Sequence, residues 1–272
     1  MNRSFLPIIL LLIAVGGPSC QSDQNIRLET DQSFEGEELY LVSKVLDEHL
    51  PFILQRPTFF LDESVQEKLS DCPVITIESF QHITLTFDPS TCPAPANKRK
   101  GKIDLFFSNT PMAVGEYVVI TYDDYVFENH PLEGRRTLKL TAINRERRVY
   151  EEVGSDIMVT NPNNHSTRIR PSFTFEIAET GGNLSNLTVR GGALGRNRGG
   201  KTFEINIAEQ KSFNSQCVTQ PVFRPVSGVE RWEIARSSTG NVVHQQTFHT
   251  DGECLTHAII RLHEGVEMKK TP

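Results

Sequence analysis

Asp123 and Asp124 stand side by side within the run Glu116 to Glu128, which is otherwise rich in strand-forming residues. Paired carboxylates perform acid–base work or hold calcium. Neighbouring strand residues point to opposite faces, so these two share a ligand only across a bulge or at a strand end. The sequence predicts such a bulge or strand-end turn. A second group is His244, His249, His257 and His263. His257 and His263 fall about 20 Å apart at ~3.3 Å per strand residue, and His244 and His249 face opposite sides. Only His249 and His257 can approach each other, across the last hairpin, and no metal site is expected from the set. Lys98-Arg99-Lys100 is a third group. Such a run contacts polyanions or forms a solvated turn, and the second reading is preferred. No G-x-S-x-G, H-E-x-x-H or dinucleotide-binding pattern occurs, so no catalytic residue and no cofactor is assigned.

The five cysteines bear on compartment as well as chemistry. Met1-Asn2-Arg3 carries a positive charge, Phe5 to Val15 is apolar, and small residues lead from Gly16 to Cys20. Residues 1–19 therefore read as a secretory signal peptide, too short to span a bilayer. Its Gly-Pro-Ser-Cys end resembles the bacterial lipobox, which would make Cys20 a lipidated N-terminus and residues 20–36 a polar tether. Four cysteines are then left, an even number in an exported chain, which reads as disulfides. Three pairings exist; the local one, Cys72–Cys92 with Cys217–Cys254, is predicted. Folding the first hairpin antiparallel brings Cys72 and Cys92 together at its open end. A three-strand meander would bring Cys217 and Cys254 to the starts of two strands that run the same way. Zinc needs closer ligand pairs than any present. The expected location is the cell envelope, as an outer-membrane lipoprotein facing the periplasm or the surface. In a bacterial chain the sequons at Asn164, Asn183 and Asn186 carry no weight.

These residues need a scaffold, and the patterning supplies one. Ile75 and Ile77, then Ile83, Leu85 and Phe87, then Ile103, Leu105 and Phe107 each alternate with polar neighbours. A period of two puts one apolar row on one face of a sheet. Glu116 to Glu128 is apolar on both sides, Tyr117, Val119 and Tyr125 against Val118, Ile120 and Tyr122, so it reads as a strand buried on both faces. Further strands follow to residue 263, joined by turns rich in Gly, Asn, Asp and Pro. Residues 179–200 hold many glycines and mark a sub-boundary, and the tail from Glu264 reads as frayed. Before the strands, Leu39, Val42, Val45, Leu46 and His49 recur at helical spacing, with Pro51 as a stop. Residues 37–70 are expected to cap one end of the sheet. The fold class is all-β: a predominantly antiparallel assembly over 71–265, elongated or sandwich-like, with a short N-terminal helical segment.

The segments CPVITIE, ITLTFDPSTC, RKGKIDLFFSN and GEYVVITYDDYVFENHPLEGRRTL, then HSTRIRPSF, GRNRGGKTFEINI and QCVTQPVFRPVSGVERWEI, follow one another between residues 72 and 263. In motif order the chain resembles a family of Bacteroidetes lipoproteins with Cys-bounded first and last hairpins. In that family's pattern Phe-Asp-Asn-Tyr stands where Tyr122-Asp123-Asp124-Tyr125 stands here. The resemblance implies an all-β exported lipoprotein and assigns no activity. The functional expectation is a lipid-anchored envelope protein that binds or scaffolds, with the membrane and an envelope glycan or protein as partners. A net charge of −6 argues against nucleic acid. The alternative is an envelope hydrolase or glycan-processing enzyme working through carboxylates such as Asp123 or Asp124.

Overall fold

The computed structural model describes residues 32–62, 69–92, 98–108, 113–180, 183–217, 223–237, 240–252 and 254–271. The signal segment, Cys20 and the tether to residue 31 lie outside them. Helix α1 spans Gln32–Glu48, with Glu35 in its first turn, where a carboxylate complements the helix dipole. A single turn, α2, covers Leu50–Ile53, and a 3-10 turn covers Pro57–Leu61. Pro51 opens α2 rather than ending the helical segment, as suits a residue whose missing N–H would be unpaired there anyway. The helix also starts five residues earlier than its spacing suggested. Phe34 lies under the Arg198 guanidinium and Glu35 pairs with Arg236, so tertiary contacts hold the added turn.

Fourteen strands follow among the described residues: β1 Val74–Ser79, β2 His82–Phe87, β3 Lys100–Phe107, β4 Tyr117–Phe127, β5 His130–Ile143, β6 Arg147–Glu152 and β7 Asp156–Thr160. The second half comprises β8 Ser166–Thr180, β9 Asn183–Arg196, β10 Thr202–Asn214, β11 Ser227–Ser237, β12 Gly240–Thr250, β13 Thr256–Arg261 and β14 Glu267–Lys270. They form one sheet in sequence order, with β6 and β7 sharing the place between β5 and β8. Every pairing between adjacent strands is antiparallel, as short turns require. Two expectations fail here. The glycine-rich stretch is no boundary, because β9 runs through it and pairs along its length with β8 and β10. The polar tail is not frayed, because β14 pairs with β13 through Ala258 to Arg261.

The inner face carries the buried rows Ile83–Leu85–Phe87, Ile103–Leu105–Phe107, Val118–Ile120 and Leu138–Leu140, continued by Phe173–Phe175–Ile177 and Trp232–Ile234. α1 lies against this face instead of capping an end. It is buried at eleven of its seventeen positions, too many for a helix with a free side. Its side chains meet Tyr125 on β4, Thr167 on β8, Lys211 on β10, Glu230 on β11 and Lys270 on β14. A sheet that touches one helix from so many strands must curl around it.

β4 shows how the curl is made. Lys100 faces Val126, but Lys102 faces Asp123, so two residues of β4 oppose Gly101 alone. This is a β-bulge, and it reverses the facing of every residue beyond it. Tyr125 therefore turns inward to join Val118, Ile120 and Tyr122, and only 1% of it remains exposed. Tyr117 and Val119 stay on the outer face, so β4 is buried on one side only, contrary to the expectation of two. Gly101 permits the bulge: its φ is +86°, and a Cβ there would sit 2.2 Å from the Asp124 carbonyl oxygen. Both local disulfides are present. Cys72–Cys92 has a Cα separation of 5.4 Å and Cys217–Cys254 one of 5.5 Å.

Candidate functional site

The C-terminal half of α1 brings acidic side chains and unpaired backbone carbonyls into an apolar interior. Both must be matched there. The sheet matches them with cations. Lys211 reaches both Asp47 oxygens at 2.6 Å and Glu230 at 2.8 Å. Arg99 makes a bidentate contact with Glu48 and donates to Asp71 at 2.8 Å. Arg136 pairs with Glu152 and donates to the Leu46 carbonyl at 2.8 Å. Arg148 donates to the Leu54 carbonyl and pairs with Glu179, and Arg224 donates to the Lys44 carbonyl. Positive charge at a helix C-terminus is also the sign its dipole favours.

Burial sets the charge states. It works against ionised Lys211, but Asp47 and Glu230 outweigh it and hold the ammonium above its ordinary pKa. Burial pushes Asp47 up, only partly offset by Lys211. For Glu48, burial is overcome chiefly by Arg99, with the Tyr125 hydroxyl adding to it, and its carboxyl lies below the usual range. His49 goes the other way: burial foremost lowers it to about 3, Glu48 opposes, and Arg136 and Arg99 add to the fall. It is thus neutral, packed beside the Tyr122 and Tyr125 rings at 5.1 and 5.7 Å. This end of the interior is dominated by matched pairs, although His49 Nε2, Arg148 Nε and Arg224 Nε are left without a hydrogen-bond partner among the described residues.

The N-terminal half differs. A pocket of about 290 Å³ opens beside α1, walled by the β4–β5 turn, the β7–β8 turn, Arg198 and Lys270. Leu41, Val42 and Val159 provide its apolar surface. Its charges are paired in the wall: Lys44 with Glu128, Arg198 with Glu38, and Lys270 with Glu37. Glu38 also accepts from the Thr167 hydroxyl and the Arg198 backbone N–H. Burial and then nearby Arg224 lower the Lys44 pKa, and burial raises that of Tyr40. Glu128 and Asn129 form the two-residue turn between β4 and β5, with φ of +48° and +67°. Positive φ at both positions matches the twist of a hairpin, yet glutamate rarely adopts it. His130 Nδ1 lies 2.8 Å from the Glu128 carbonyl oxygen. A carbonyl only accepts, so Nδ1 carries hydrogen, and in the neutral ring Nε2 is an acceptor.

No family model, curated protein or solved structure matches this chain.

The residues singled out from sequence fall elsewhere. Asp123 and Asp124 lie on the bulge as expected and are exposed; Asp123 pairs with Lys102 at 3.4 Å on the outer face. They do not converge on the pocket. Lys98 and Lys100 are exposed, but Arg99 between them is buried against Glu48, so this is no fully solvated turn. His249 and His257 do meet across the β12–β13 hairpin, with ring centroids 5.4 Å apart, and His257 pairs with Asp251. His244 points inward to Glu35 at 3.3 Å, and His263 is exposed. Among the described residues no group of three or more His, Cys, Asp or Glu is arranged to hold a metal ion. Sequence reading missed Tyr40, Lys44, Glu128 and His130. No local signal marked them: Lys44 lies off the register of Leu39, Val42, Val45, Leu46 and His49 and reads as a surface lysine.

Proposed function

We propose that this chain is a lipid-anchored protein of the bacterial outer membrane, held through Cys20, that binds a small polar ligand in the pocket beside α1. The pocket carries the reading. The sheet's interior is filled by its own helix, and its C-terminal end is closed by charge pairs, whereas the pocket combines apolar surface with polar groups that reach its wall. Such a combination is the usual make-up of a ligand site, here at the small end of the range. The signal-like N-terminus, the Gly-Pro-Ser-Cys sequence and the likeness to Bacteroidetes lipoproteins support the anchor. Two disulfides agree with an oxidising compartment. The alternative of a hydrolase working through Asp123 or Asp124 draws no support from their exposed positions.

Fractionation of the full chain and its Cys20→Ser variant in a Gram-negative host tests the anchor. The parent chain is expected with the membranes, and the variant is expected in the soluble fraction or unprocessed. A processed variant that still sediments with membranes would refute it. Pocket binding is tested by screening the full chain in detergent against envelope glycans and peptides, beside Leu41→Trp, which fills the pocket. Binding that survives this substitution is not binding at the pocket.

A further inference from the structure

We infer that the pocket beside α1 accepts a neutral saccharide, a terminal sugar residue rather than a charged ligand. This rests on the pocket being a ligand site and names the chemistry of its occupant. The lining carries three cations, Lys44, Arg198 and Lys270, and three anions, Glu37, Glu38 and Glu128. Each cation is in contact with one anion of the same set. A ligand with net charge would have to displace a member of a pair and leave its partner uncompensated. That is costly at Lys44 and at Glu38, whose side chains are 8% and 6% exposed. A zwitterion would have to split two pairs at once. A sugar needs neither. Its hydroxyls donate and accept at the same atom, so they can join existing pairs without breaking them.

The polar groups around those pairs suit such a guest. His130, with Nδ1 committed to the Glu128 carbonyl, offers Nε2 as an acceptor to a hydroxyl. Asn161 uses Oδ1 to accept the N–H groups of Asn163 and His165 at 2.9 and 3.0 Å, so its amide nitrogen is the end that can donate to the pocket. Tyr40, Leu41 and Val159 supply a surface for the C–H face of a pyranose ring. The volume of about 290 Å³ restricts the guest to the end of a chain.

Saturation-transfer NMR on the full chain, in a detergent without a sugar headgroup, tests this. The probes are the methyl glycosides of glucose, galactose, mannose and N-acetylglucosamine, then methyl glucuronide, glucosamine and the dipeptide Ala-Ala. At least one neutral glycoside is expected to bind, with the charged sugars and the dipeptide about tenfold weaker or absent. His130→Ala should weaken binding about tenfold, the loss of one hydrogen bond, and Leu41→Trp should abolish it. Thermal melting of both variants confirms that they fold. A charged sugar or the dipeptide binding more tightly, and lost in Leu41→Trp, would overturn the saccharide assignment while leaving a ligand site in place. If no probe binds at the pocket, both fall. Sugar binding that is unchanged in both variants would place the saccharide elsewhere and also overturn the inference.

Discussion

Asp47 and Glu48 near the C-terminus of α1, and Glu37 near its N-terminus, are acidic residues on the same helix set in opposite surroundings. Asp47 and Glu48 are buried and matched by Lys211 and Arg99, which come from β10 and from just before β3. Glu37 meets Lys270 with its own side chain 54% exposed, whereas Glu38 beside it is 6% exposed and is held by Arg198. The difference shows what charge can do at each place. A buried carboxylate needs partners at fixed positions, so it ties strands distant in sequence to one helix register. A half-exposed pair contributes little stability, because water already solvates both members. It can therefore face a ligand without endangering the fold.

Substitutions that remove one partner should separate the two ends most clearly. Lys211→Met leaves Asp47 and Glu230 buried without their cation, and is expected to cost about 3–5 kcal/mol in urea unfolding at neutral pH. A loss similar to that of an exposed pair would show that the sealed end is hydrated after all. Gly101→Ala attacks the same end through the backbone. Its Cβ would meet the Asp124 carbonyl at 2.2 Å, so the bulge that turns Tyr125 toward Glu48 should distort. About 1–3 kcal/mol is expected, with altered near-UV circular dichroism from the tyrosines.

Acid should also act through the sealed end. His49 is held at about 3 in the folded chain against 6.5 when free, so the unfolded chain takes up a proton that the folded chain refuses. Stability is full above pH 6.5 and falls as pH drops toward 3, by at most about 1.4 kcal/mol per unit from this group. His49→Gln should flatten that part of the profile; an unchanged slope would mean that other groups account for it. At the open end, Lys270→Met should cost under about 1 kcal/mol. The smallest effect is expected at Asp123→Asn, within about 0.5 kcal/mol, since the side chain is 60% exposed on the outer face of the sheet. A larger loss there would reveal a role for the bulge carboxylates that their exposure does not suggest.

Much of the scaffold was legible in the chain because strand patterning is local. Alternating Ile83, Leu85 and Phe87 places itself on one face whatever lies opposite, and the turn residues fix which strands are neighbours. The cysteine pairings followed from the same local geometry: Cys72–Cys92 closes the open end of the β1–β2 hairpin, and Cys217–Cys254 ties the chain before β11 to the chain before β13. The bulge at Asp123 and Asp124 was readable for the same reason.

What surrounds α1 was decided only in three dimensions. Helical spacing marks Leu39, Val42, Val45 and Leu46 as buried, but it says nothing about a sheet curled round the remaining faces, where Ser43, Asp47 and Glu48 are buried as well. Their burial depends on Arg99, Lys211 and Glu230, which lie 51, 164 and 187 residues away in sequence from Glu48, Asp47 and Ser43, respectively. In sequence each of these reads as an ordinary surface charge. The pocket is equally non-local, assembled from one helix face, two hairpin turns and the last strand. Periodicity reports the face a residue shows to its own element, whereas the cost of a buried charge is set by whatever the whole chain brings against it. Sequence alone therefore determined most of the strands, their order and the bridges, and tertiary structure decided that β9 and β14 join the sheet, which charges fill the interior and which face the pocket.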